Sequence, residues 1–120
     1  MRRDLDLVRA ILVAVEEADA PVDAAELVTP DWPFALVTYH VELLQSRGLV
    51  DAKVTRTKGG AIALVLGLTW EGCDYLDAIR DERVWSRTKA VIAETVGSAT
   101  MAVVKSTAVK VMTSLIDQAI

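Results

Sequence analysis

Leu43-Leu44-Gln45-Ser46-Arg47-Gly48-Leu49-Val50 is the stretch on which the fold turns. Before it, apolar residues recur at helical spacing, with Leu36, His40, Leu43 and Leu44 on one inner face of a helix over about 33–47. Gly48 is a C-terminal stop. After it the period falls to two: Val50, Ala52 and Val54 alternate with Asp51, Lys53 and Thr55, as in a half-buried strand. Lys58-Gly59-Gly60 supplies a turn, and residues 61–68 return as a second strand with Ile62, Leu64, Leu66 and Leu68 on one face. A helix therefore feeds a β-hairpin.

Upstream, Leu5, Val8, Ile11, Leu12 and Val15 mark a first helix over 4–18 that Asp4 can cap and Ala20-Pro21 ends. Asp23 caps a short second helix over 24–28, stopped by Thr29-Pro30. Asp31 and Pro33 suit the start of the third. Downstream, Thr69 caps a helix from 70 to about 96, Gly97-Ser98 breaks it, and a final helix covers 99–120. The order predicts an α+β, mostly helical fold: a winged helix-turn-helix, three helices plus a β-hairpin wing, followed by a long, kinked C-terminal helical extension. Residues 1–96 form the winged-helix domain, including the start of the fourth helix, and 97–120 a C-terminal amphipathic helix.

The 120 residues fit one compact domain of a size that buries about two-thirds of its unfolded surface. One cysteine and one histidine exclude an internal disulfide and a Cys/His zinc site, and no metal or other cofactor is expected. The basic start is interrupted by Asp4 and Asp6, so it does not read as a signal peptide. Charged residues break the aliphatic C-terminal region, so no membrane span is expected and the location reads as cytoplasmic.

The net charge of −4 is unevenly spread. Residues 1–46 carry three basic and nine acidic groups, residues 47–60 four basic and one acidic, and residues 61–120 six basic and seven acidic. The local excess at 47–60 comes from Arg47, Lys53, Arg56 and Lys58, a candidate basic wing able to lie along a phosphate backbone. The bland alternative is that such cations protect an edge strand.

Three segments resemble the YjcQ-like family of small, mostly prophage-associated proteins, a domain of unknown function. They are Arg2-Arg3-Asp4-Leu5-Asp6-Leu7-Val8-Arg9, Tyr39-His40-Val41-Glu42-Leu43-Leu44, and Leu68-Thr69-Trp70-Glu71-Gly72-Cys73-Asp74-Tyr75-Leu76-Asp77-Ala78-Ile79-Arg80-Asp81. Val84-Trp85 and Lys89 continue the likeness, which covers roughly residues 2–98. The resemblance implies a winged-helix fold and a phage or mobile-element origin, and it supplies no catalytic residues. It also implies His where this chain has Cys73, which weakens a metal or acid–base role there.

Little else suggests catalysis. His40, alone on the inner face of its helix, reads as a core histidine, and Cys73 as a small buried hydrophobe, with a reactive thiol as the alternative. Asp74, Asp77, Asp81 and Glu82 interleave with Arg80, Arg83 and Arg87 as a charge ladder. No enzymatic activity is expected.

The outward residues of the third helix are then Phe34, Thr38, Val41, Glu42 and Gln45, the candidate binding face. Only Thr38 and Gln45 are ordinary base-reading types, and Glu42 opposes phosphate. On the last helix Met101, Val104, Ala108, Val111, Met112 and Leu115 form a candidate self-association stripe. The expectation is a non-enzymatic binding protein, a homo-oligomer with a protein partner, for example a host nucleic-acid-handling or defence complex. The alternative is a DNA-binding transcriptional regulator whose wing touches DNA.

Overall fold

The structure, a computed structural model, describes residues 1–120. Helix α1 (Leu5–Glu17) leads to a two-residue strand β1 (Val22–Asp23), a 3-10 helix (Ala24–Leu27) and α2 (Phe34–Ser46). Strands β2 (Val50–Thr57) and β3 (Gly60–Leu68) follow, then α3 (Trp70–Ile79), α4 (Glu82–Thr95) and α5 (Met101–Ala119). This is an α+β chain with one antiparallel sheet in the order β1-β3-β2. Two compact units, Met1–Cys73 and Asp74–Ile120, divide it. The division expected at 96/97 falls inside the second.

In the first unit, α1, α2 and the sheet enclose a core of Leu7, Ile11, Leu12, Val37, Val41, Leu44, Ala63 and Val65. Leu7, not the expected Leu5, completes the buried stripe of α1. Strand β1 escaped the sequence because two residues are too few for alternation to show. It pairs Val22 with Val65 and Asp23 with Leu64, adding a third strand to the expected hairpin.

The β2–β3 register corrects a second expectation. Asp51 lies opposite Gly67 but Ala52 opposite Val65, so Leu66 is an extra residue on β3, a β-bulge. The bulge breaks the expected common face of Ile62, Leu64, Leu66 and Leu68. Ala63 and Val65 turn inward instead, while Ile62 and Leu66 stay more than half exposed.

Two glycines set the α2–β2–α3 junction. Gly48, at φ +77°, reverses the chain after α2, and the Leu49 N–H then bonds to the Leu44 carbonyl at 2.9 Å. Gly72 lets the first turn of α3 lie on the Leu49 carbonyl, since a Cβ there would come within 1.9 Å of that oxygen. Thr69 closes the junction: its hydroxyl donates to the Gly48 carbonyl and accepts from the Gly72 N–H.

The expected continuous helix over 70–96 is two helices. Asp81 ends the first by capping the second, its carboxylate accepting the N–H groups of Arg83 at 2.8 Å and Val84 at 3.1 Å. In the second unit α4 packs along α5. Val84, Trp85, Thr88 and Ile92 of α4 are buried, as are Met101, Val104 and Ala108 of α5. Gly97, at φ +78°, turns the chain between the two helices.

Candidate functional site

Helix α2 is rotated from the expected orientation. Its buried residues are Val37, Thr38, His40, Val41 and Leu44, with Leu36 and Leu43 only half-buried. Val41 and Thr38, expected to face outward, are therefore inside, at 0% and 4% exposure. The reason is that the sheet and 3-10 helix both press on α2 and widen its inner face beyond the leucine stripe.

Beside this face, α2 and the tip of the hairpin enclose a groove of about 540 Å³. Phe34, Thr38 and Glu42, at i, i+4 and i+8, line the helix side together with Tyr39. Arg56 and Lys58 line the hairpin side, and Met1 reaches the groove as well. Three residues of the expected helix face and two of the expected wing thus meet at one place. Gln45, Arg47 and Lys53 are exposed elsewhere and are not part of it.

The groove is bridged by an ion pair. The Arg56 guanidinium donates two hydrogen bonds to Glu42, at 3.1 and 2.5 Å, with both side chains partly in solvent. These bonds hold the Glu42 carboxyl below the usual carboxylate range. The pairing is bidentate, so it fixes both side chains more firmly than a single contact would. Arg56, counted in the sequence as a free wing cation, is neutralised.

Thr38 is a second polar residue of the helix wall. Its hydroxyl is buried and has no hydrogen-bond partner. A buried helical threonine ordinarily bonds back one turn, as Thr88 does to the Val84 carbonyl at 2.6 Å. An unmet buried hydroxyl costs about 1–3 kcal/mol, so its retention beside a groove calls for a reason.

His40 is fully buried and satisfied. Nε2 accepts the Asp4 N–H at 2.7 Å, so Nδ1 carries the proton and donates to the Leu36 carbonyl at 2.8 Å. Its ring meets Tyr39 edge-on at 5.7 Å. Asp4 also accepts from the Leu7 N–H at 3.1 Å and from the Trp32 indole at 3.0 Å. The histidine ties the N-terminal cap of α1 to α2, and Asp4 extends the link through Trp32 to the loop before α2.

Elsewhere, Cys73 is exposed, which corrects the buried expectation. The inner stripe of α3 runs through Gly72, Tyr75, Leu76 and Ile79, leaving Cys73 out with Asp77 and Arg80. On α5, Met101, Val104 and Ala108 are buried, and Val111, Met112 and Leu115 are half-buried. Much of the expected self-association stripe is therefore consumed within the chain. No group of three or more His, Cys, Asp or Glu side chains is placed to hold a metal ion. No helix is long and apolar enough to cross a membrane.

The Glu42–Arg56 pair, the orphan Thr38 hydroxyl and the Asp4–Trp32 bond were not foreseen. The first had a signal, an acid and an arginine of opposite sign on adjacent elements. The other two depend on packing.

No solved structure matches the chain. An uncharacterized protein of Haemophilus influenzae is 34% identical over 96 residues, covering 77% of this chain and 79% of that relative. A family model described as hypothetical protein (DUF2513) matches residues 2–99, which leaves α5 beyond the match. Neither match speaks of YjcQ-like proteins or of a prophage. With most of its length covered by that model, the chain belongs to the DUF2513 family.

Proposed function

We propose that residues 1–73 form a winged helix and that the protein works by binding another protein in the α2–hairpin groove, without catalysis, in the cytoplasm of a cell carrying a phage or mobile element. The element order and the sheet order β1-β3-β2, with a short strand between the first two helices, support the winged-helix part. Self-association belongs to the same proposal, now through the exposed Val109 and Ile116 of α5.

One observation carries the preference for protein over DNA: the groove presents a carboxylate, Glu42, already bound to the arginine that phosphate would need. The rest of its helix wall is Phe34, Ala35, Thr38 and Tyr39, which offers aromatic and small surface and no cation. Aromatic residues and few charges are the composition of protein interface centres.

A DNA-binding regulator is the second reading, favoured by Arg47, Lys53 and Lys58, which are exposed and unpaired. Two measurements separate them. Titration with random duplex DNA at two salt concentrations should give no binding tighter than about 100 µM, whereas micromolar binding with a steep salt slope would establish the regulator. A photoreactive amino acid at position 39 should crosslink to a protein in an extract of the source cells, and one at position 45 should not. Equal crosslinking from both positions would refute the groove.

A further inference from the structure

The second unit holds a groove of its own, about 650 Å³, between α4 and α5. Arg83, Arg87 and Val91 enter it from α4, and Lys110, Val111 and Leu115 from α5. No acidic residue lines it. Arg83 is anchored at its mouth by Asp81, at 3.0 Å, while Arg87 and Lys110 have no carboxylate partner.

The chain is acidic as a whole, with a net charge of −4, so Arg87 and Lys110, two cations without a carboxylate partner beside the Asp81-paired Arg83, make this groove a local exception to its charge. Cations on a solvated helix face normally alternate with acids. Here Arg83 and Arg87 stand one turn apart on α4, and Lys110 faces the same groove from α5, around a floor of valine and leucine. From Arg83 to Val91 the α4 residues span nine positions, about 12 Å of helix. Both walls are helices, and neither wall offers a third side. Two helices flanking an apolar strip are the kind of groove in which the apolar face of an amphipathic helix can lie.

We propose that this groove receives an acidic amphipathic helix from a protein partner, its apolar stripe on Val91, Val111 and Leu115 and its carboxylates on Arg87 and Lys110. The site is independent of the α2–hairpin groove, so either can fail alone. Charge complementarity sets the sign of the partner, and the repeat of one turn between the α4 cations sets its helical form.

The test uses the full chain and two fluorescein-labelled synthetic peptides of about 15 residues, long enough to form a helix. Each carries one leucine stripe; the first has glutamates on its remaining faces and the second has lysines. The glutamate peptide should bind at least about tenfold tighter than its lysine twin, a difference of about 1.4 kcal/mol. Arg87→Glu with Lys110→Glu should reverse that order. On the unaltered protein, amide shifts should concentrate at Val91, Val111 and Leu115, a readout that does not depend on how the variant folds. Equal binding of the two peptides, no binding at about 1 mM, shifts elsewhere, or a double variant that still prefers glutamate would each overturn the proposal.

Discussion

Gly72→Ala is the substitution that most directly interrogates the α2–β2–α3 junction. In an ordinary helix interior the change stabilises by about 0.5–1 kcal/mol, because alanine loses less backbone entropy. Here the new Cβ would sit 1.9 Å from the Leu49 carbonyl oxygen, so the two must separate by at least 1.1 Å to reach the 3.0 Å that real Cβ atoms keep. Both partners are tied to backbone, so neither can swing away. The displaced oxygen also accepts the Thr69 N–H at 3.1 Å, a bond worth about 1 kcal/mol. Overpacking strain of about 1–3 kcal/mol outweighs the helix gain, and the net expectation is a loss of about 2 kcal/mol, or a fall in Tm of roughly 8 °C. Urea and thermal unfolding followed by far-ultraviolet circular dichroism measure it. Gly67→Ala, with nothing within 4 Å of its Cβ, is the control and should change little. A Gly72→Ala protein as stable as the parent would refute the close approach of α3 to Leu49.

Thr38→Val should stabilise the free protein by about 1 kcal/mol, because it removes an unmet hydroxyl at nearly constant volume; a loss of stability on denaturant titration would mean that the hydroxyl is satisfied. His40→Leu should cost about 1–3 kcal/mol by orphaning the Asp4 N–H and should alter Trp32 fluorescence, since Asp4 holds that indole. The Asp81 carboxyl is lowered to about 2, chiefly by the Arg83 side chain and then by the Val84 N–H. A folded value below the unfolded one stabilises above the unfolded value, so the cap on α4 should weaken as pH falls from about 4 towards 2. Carbon-detected NMR should find that midpoint, and Arg83→Ala should move it up. Native protein should give one rapid equivalent with Ellman's reagent, from Cys73; labelling only after denaturation would contradict its exposure.

The sequence reveals helix positions well where an apolar stripe is long, as in α1, and where a glycine forces a turn, as at Gly48. It reveals much less where one element answers to several neighbours. Leucine spacing places Leu36 and Leu43 inside α2, yet two elements press on that helix and bring Val37 and Val41 in. The bulge at Leu66 is silent in composition, because Ile62, Leu64, Leu66 and Leu68 obey strict alternation that the register then breaks. Asp81 was read as one rung of a charge ladder, although Asp81-Glu82-Arg83 is also an ordinary way to begin a helix. Of the candidate site, Phe34, Thr38 and Glu42 were named from helical spacing, and Arg56 and Lys58 from their charge on the hairpin. Their meeting in one groove needed the third dimension.

Asp4 bonds to Trp32 and His40, which follow it by 28 and 36 residues. On the ribosome, α1 therefore emerges complete while its first turn is still held only by its own aspartate. The anchor that locks that turn to α2 is synthesised 36 residues later, so the N-terminal helix waits for α2 before it is secured. Trimming back to Leu5 would remove Asp4 and with it the bonds to Leu7, Trp32 and His40, so three separate segments would lose a contact through a single residue.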